Sequence, residues 1–176
     1  MQIAQINNPV PMHYKAAFPN ISFPAGGPTD EFLAEKGYAK VSVFKDHDRA
    51  TQKLVGAAPY YEAPWVYTVV VEAKTAEEMA AEAAAKVKAL QDSIVNAVQK
   101  RLDDFARAKN YDGILSAATY ATSTNAVFQA EGQRAVQLRD DTWQALYNIL
   151  GQVATQGRVV TSFEDIEGDL PVLSWT

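Results

Sequence analysis

The chain has 176 residues, 48% hydrophobic and 21% charged, with a formal net charge of −5 and no cysteine. Such a composition permits a packed core, its acidic balance argues against a nucleic-acid partner, and the lack of cysteine removes disulfides, thiolate nucleophiles and Cys-based zinc sites. No apolar run approaches the ~18 residues of a membrane span, and Met1-Gln2-Ile3-Ala4-Gln5-Ile6 lacks a basic region followed by an apolar stretch, so neither membrane insertion nor a secretory signal is expected.

The fold class expected is α+β: a small antiparallel β-rich head over residues 1–74, a long helix over 75–108 that forms a possible oligomeric stalk, and a helical C-terminal module over 109–176. In the head, a strand over 2–6 precedes a stretch broken by Asn7-Asn8-Pro9, Pro11, Pro19, Pro24 and Gly26-Gly27-Pro28, which reads as turn and extended chain. Thr29 is placed to cap a two-turn helix over 30–36, with Asp30 and Glu31 in its first turn and Gly37 to stop it. The run 38–44 alternates apolar and polar positions in the period-2 manner of a half-buried strand. A short strand over 52–55 is expected next, and then the strongest strand signal, the β-branched and aromatic run Trp65-Val66-Tyr67-Thr68-Val69-Val70-Val71-Glu72. Three or four antiparallel strands and one short helix would make up this head.

From residue 75 to 108 there is neither Gly nor Pro, and Ala, Glu, Lys, Gln and Leu dominate. Thr75 and Glu78 form the capping-box pattern at the start. The apolar stripe Met79, Ala83, Val87, Leu90, Ile94, Val98, Leu102, Phe105 advances about 3.7 residues per step, above a heptad's 3.5, which predicts a straight or weakly right-wound bundle. One covering for this stripe is the chain's own C-terminal helix; the other is a second copy. The alanines on several faces of the first half favour the second, so Met79, Ala83, Val87, Leu90, Ile94 and Val98 are the expected oligomer interface.

After Asn110-Tyr111-Asp112-Gly113, Asp112 is placed to cap a short helix over 114–120, and Thr122-Ser123-Thr124-Asn125 offers the cap of a second long helix over 126–154. Its main stripe is Phe128, Ala135, Leu138, Thr142, Leu146, Ile149 and Val153; Trp143, Tyr147 and Leu150 add a second face, an arc wide enough to require burial on two sides. Gly132 inside it costs about 1 kcal/mol against Ala, which points to a close backbone approach. Gly157 ends the helix, Ser162 with Asp165 caps a brief turn, and Leu173 and Trp175 face one way so that Trp175 tucks into the core. Packing of the module is expected from Leu102, Phe105, Tyr111, Tyr120, Phe128, Leu138, Trp143, Leu146 and Trp175.

Catalytic chemistry finds little support. The two histidines, His13 and His47, lie in different loops, and Asp46-His47-Asp48 reads as a solvated loop rather than a metal site. The pairs Asp103-Asp104 and Asp140-Asp141 diverge by about 100° on a helix and share no substrate proton. Gly26-Gly27 precedes Pro and makes no phosphate loop. No enzyme activity, metal or cofactor is expected.

Leu102-Asp103-Asp104-Phe105-Ala106, Tyr111-Asp112-Gly113-Ile114-Leu115-Ser116-Ala117-Ala118-Thr119-Tyr120-Ala121-Thr122-Ser123, Phe128, Glu131-Gly132, Ala135, Arg139-Asp140, Trp143 and the ending Leu170-Pro171-x-Leu173-x-Trp175 together resemble the C-terminal module of small tailed-bacteriophage tail or tail-fibre-associated proteins. The resemblance covers roughly residues 95–176; the family continues past the last Trp with Pro, where Thr176 stands here. It implies a structural virion component, made in the host bacterial cytoplasm and carried in the tail. Its partners would be itself, with a trimer favoured over a dimer, and a tail-fibre or baseplate protein. Two alternatives are a tail-fibre assembly chaperone, and a host-surface or glycan-binding module using Tyr60, Tyr61 and Trp65 of the head.

Overall fold

A computed structural model describes residues 1–175; Thr176, the end of the expected C-terminal module, lies outside the described residues. The elements run β1 (Gln2–Gln5), β2 (Met12–His13), α1 (Tyr14–Ala17), α2 (Asp30–Glu35), β3 (Tyr38–Ser42), β4 (Gln52–Glu62), β5 (Trp65–Ala73), α3 (Ala76–Arg107), α4 (Ile114–Thr119), a 3-10 turn (Tyr120–Thr122), α5 (Ala126–Gln156) and α6 (Glu164–Glu167). The architecture is mixed α+β, and the chain divides into two compact units, Met1–Glu82 and Ala83–Thr176. In place of the expected boundaries at 74/75 and 108/109 there is one, inside α3.

In the N-terminal unit, five strands form one sheet in the order β2-β1-β3-β5-β4. The expectation of a purely antiparallel sheet is corrected at one pair: β3 and β5 are parallel, with Val41 opposite Val66. The reason is the β4–β5 hairpin, whose second strand inserts beside β3 and leaves β4 on the edge. β4 is also longer than the 52–55 read from sequence. Its register slips between Gly56 and Tyr60, where Ala57, Ala58 and Pro59 oppose a single residue, a bulge that accommodates a proline without an N–H to give. Ile3 and Ala4 are both fully buried; adjacent strand residues point to opposite faces, so β1 is covered on both.

Thr29 Oγ1 accepts from Phe32 N at 3.3 Å and caps α2, while Gly37 leaves the helix at φ 74°. Leu33 of α2 is buried. The proline-broken stretch hides an aromatic cluster that sequence reading left as loop: Phe18 meets Phe23, Phe32 and Tyr38 edge-on, with centroids 5.2–6.0 Å apart. At the start of α3 the capping box forms as expected, Glu78 N to Thr75 Oγ1 at 3.1 Å and Thr75 N to Glu78 Oε2 at 2.9 Å.

The C-terminal unit holds two apolar clusters. Ile94 and Val98 of α3 pack with Leu146 and Ile149 of α5, Ile166 of α6 and Leu170. Leu102 and Ala106 pack with Ile114 and Ala117 of α4 and Ala135 of α5. Asn125 Oδ1 caps α5 by accepting from Val127 N at 3.0 Å, and Gly157 at φ 69° closes it. Gly132 is required by proximity: a Cβ there would lie 2.2 Å from Ala121 N and 2.3 Å from the Tyr120 carbonyl carbon.

Candidate interaction surfaces

The stripe predicted for contact between copies divides in two. Ala76 to Ala89 are exposed apart from the half-buried Glu78, and Val87 keeps 57% of its surface in solvent. Met79 and Ala83 are likewise exposed. Leu90 instead packs half-buried against the first C-terminal cluster, and Ile94 and Val98 lie inside it. Leu90, Ile94 and Val98 are therefore corrected: the chain's own α5 and α6 cover them, so they belong to an intramolecular core. The physical reason is reach. Leu, Ile and Val at these positions meet the facing stripe of α5, whereas Val87, one turn earlier, lies beside Val153 and Ala154 where α5 is about to end at Gln156.

Among the predicted packing residues, Leu102, Leu138 and Leu146 are fully buried. Trp175 is tucked in as expected, stacked on Phe105 with centroids 4.6 Å apart and planes 15° apart, and beside Tyr111 at 5.9 Å. Sequence reading missed what ties the tail down: Arg101 Nη2 donates to the Pro171 carbonyl at 2.8 Å and Arg134 Nε to the Ser174 carbonyl at 2.8 Å. Arginines spaced along a helix look like solvated charge in a sequence. Tyr120 meets the Tyr111 ring with centroids 5.6 Å apart and Phe128 edge-on at 5.8 Å, although Tyr120 and Phe128 both stay exposed.

Tyr111 Oη donates to Glu131 Oε2 at 2.5 Å, and Lys109 pairs with the other oxygen of the same carboxylate. Lys109, and then the Tyr111 hydroxyl, hold the Glu131 carboxyl below its usual range. Burial, followed by the Glu131 carboxylate, pushes the Tyr111 phenol up to about 12. The short helix α4 takes its cap from elsewhere than expected. Asp103 Oδ1 on α3 accepts from Ile114 N at 2.9 Å, in place of Asp112, and a Cβ at Gly113 would lie 2.6 Å from that oxygen and push the capping carboxylate aside.

The acidic neighbours diverge. Asp103 caps α4, whereas Asp104 pairs with Lys100 and with Arg107, contacts that lower its pKa with the Lys100 bond foremost. Asp140 pairs with Arg139, and Asp141 accepts from Gln137. In the loop of Asp46-His47-Asp48, His47 Nδ1 lies 2.9 Å from the Lys45 carbonyl and Asp48 accepts from Ala50 N and Thr51 Oγ1, so these side chains are spent on loop structure. Among the described residues no three His, Cys, Asp or Glu side chains converge as metal ligands, and no helix is long and apolar enough to cross a membrane.

Of the head aromatics, Tyr60 and Trp65 lie on one face of the β4–β5 hairpin and Tyr61 on the other. Tyr60 is half-buried, donates to the Val69 carbonyl at 3.1 Å and lies beneath Lys45, while Tyr61 follows it on the opposite face of β4. Trp65 is half-buried.

The second face of α5 stays open. Trp143, Tyr147 and Leu150, with Val95 of α3 and Leu115 of α4, line a shallow depression of about 550 Å³ with Arg139 and Asp140 on its rim. Tyr147 is 64% and Leu115 60% exposed. The three α5 members were legible from helical spacing; Val95 and Leu115 were not, since each sits one residue after a core position on its own helix. No protein-family profile, no curated protein and no solved structure matches the chain.

Proposed function

We propose that this protein is a non-enzymatic structural component of a bacteriophage tail, which associates with copies of itself and bridges to a tail-fibre or baseplate protein. The observation that carries the reading is the uncovered first half of α3, where Met79, Ala83 and Val87 face solvent along a capped helix that its own chain leaves bare. A helical segment of about 14 residues is marginal alone in water, and packing is what ordinarily stabilises it. The resemblance of residues 95–176 to tail-associated proteins supplies the setting. The C-terminal unit is the compact knob of the part, with its tail clamped by Arg101 and Arg134.

Washed particles of a phage encoding the chain test the assignment by peptide mass spectrometry. A tail component is retained at a fixed ratio to the fibre or baseplate proteins; a protein absent from the washed particle and found only with free fibre is an assembly chaperone instead.

A further inference from the structure

Just past the end of α3, the C-terminal unit folds round a polar pocket of about 310 Å³, walled by the turn after α3, by α4 and by the start of α5. Two aromatic rings stand open on it. Tyr120 is 41% and Phe128 45% exposed, and the Tyr111 ring lies 5.6 Å from that of Tyr120. Lys109 and Glu131 also line the pocket, and they are spent on its structure through their ion pair and the Tyr111 hydroxyl bond. Asn110, Asp112 and Ser116 are not. These three residues line the pocket, and among the described residues their side chains have no hydrogen-bond or ion-pair partner. The walls are held in place: Gly132 brings α5 against the Tyr120–Ala121 backbone, and the chain turns at Asn110 with φ 66°. Little order then has to be gained on binding.

From this geometry we infer that the pocket beside Tyr120 and Phe128 binds a sugar ring of a neutral saccharide. Three properties select that class. The first is mixed polarity. The open rings offer an apolar surface to the C–H face of a pyranose, while an amide, a carboxylate and a hydroxyl supply donors and acceptors for sugar hydroxyls, each of which both donates and accepts. A lipid tail in the same place would strand those polar groups without partners, at the cost of their desolvation. The second is charge. Lys109 contributes +1 and Asp112 with Glu131 −2, which leaves −1 at the pocket of a chain that carries −5 overall. Phosphate, sulfate and carboxylate ligands are repelled by that balance. The third is size: the volume lies at the lower end of the roughly 300–1,000 Å³ of small-molecule sites, which suits a small ligand rather than the surface of a folded partner. The inference does not depend on the self-association proposed above, and it places saccharide recognition in the C-terminal unit instead of on Tyr60, Tyr61 and Trp65 of the head.

Saturation-transfer NMR of the full chain with methyl glycosides of glucose, galactose, mannose and N-acetylglucosamine at millimolar concentration tests this, followed by titration of whichever binds. Ring C–H protons of at least one glycoside are expected to take up saturation. Phe128→Ala removes an exposed ring and raises the dissociation constant about tenfold. Asp112→Ala removes a side chain that the fold does not use, raises it about fivefold, and stands in if Phe128→Ala loses its fold. Tyr147→Ala and Tyr61→Ala remove exposed rings elsewhere and leave binding unchanged. Binding that survives both pocket variants and is lost with Tyr61→Ala moves the site to the head and overturns the placement. Saturation of a sialic acid glycoside alone overturns the neutral class. Saturation of none of the glycosides overturns the inference and leaves the tail-component reading, which is tested by retention in the particle, standing.

Discussion

The two halves of α3 carry one apolar stripe at one spacing and meet opposite fates. Up to Ala89 the stripe is Met79, Ala83 and Val87 and stays in solvent; from Leu90 it is Leu, Ile and Val and disappears into the C-terminal unit. Periodicity reports that a helix has an apolar edge, whereas burial depends on which turns of that edge the facing helix reaches: Val87 stays in solvent and Val98 does not. Each buried methylene contributes about 0.8 kcal/mol, so Ile94 recruits α5 and α6 where Ala83 recruits nothing within the chain.

The largest expected effect attacks the C-terminal unit at the close approach of α5 to the 3-10 turn. Gly132→Ala, a change that gains about 1 kcal/mol in an exposed helix, is expected here to cost about 3 kcal/mol or more, because the added carbon meets the Tyr120–Ala121 backbone and no side chain can move aside. Urea unfolding of the variant checks the sign; a stabilised protein would mean that α5 and the 3-10 turn are not in contact. Next comes the comparison itself. Ile94→Ala is expected to cost about 3 kcal/mol, and Val87→Ala less than about 0.5 kcal/mol in the dissociated chain. Equal losses in denaturant titrations would erase the distinction between the halves.

Much of this fold was legible where a residue acts on its immediate neighbours. Thr29, Thr75, Gly37 and Gly157 mark helix ends because caps are local chemistry, and all four stand where the sequence placed them, while Asn125 is the member of the turn over 122–125 that caps α5. Gly132 was legible as an anomaly, its contact was not. What stayed hidden depends on partners distant in sequence: the parallel β3–β5 pair, the aromatic cluster around Phe18 and the cap that Asp103 lends to Ile114. For Leu90, Ile94 and Val98 the sequence offered two coverings, and the chain's own C-terminal helix is the one that covers them. Of the candidate contact face, helical spacing showed Trp143, Tyr147 and Leu150 and gave no sign that their second side would remain open.

Smaller effects separate the units further. Asp103→Ala leaves the buried Ile114 N–H without its acceptor and is expected to cost about 2 kcal/mol in the C-terminal unit. Tyr111→Phe is expected to cost about 1 kcal/mol by removing a donor to Glu131, and the pH dependence of this cluster has a definite sign. Glu131 titrates below its unfolded value, so its contribution is present above the unfolded carboxyl pKa and is lost as pH falls through the folded one. The Tyr111 phenol is raised to about 12, so its contribution is present below the unfolded phenol pKa and is lost as pH climbs through the folded one. Alkaline titration followed by phenolate absorbance should show an ionisation near that upper value that Tyr111→Phe removes.

The smallest effect tests the bare half directly. Thr75→Ala removes one side of the capping box, whose Oγ1 accepts from Glu78 N, and costs about 0.5 kcal/mol. Glu78 retains its ion pair with Lys53, so the first turn is weakened without being released. In the packed half such a loss would be shared with a core and read out as a lower global midpoint. Here amide exchange in residues 76–89 should quicken severalfold at unchanged midpoint for the C-terminal unit, because no core of the chain's own covers that segment. Adding protein concentration then distinguishes two origins of order: if exchange slows as copies associate, contact between chains supplies the cover that the sequence withholds, and if it does not, the capping box alone maintains the exposed helix.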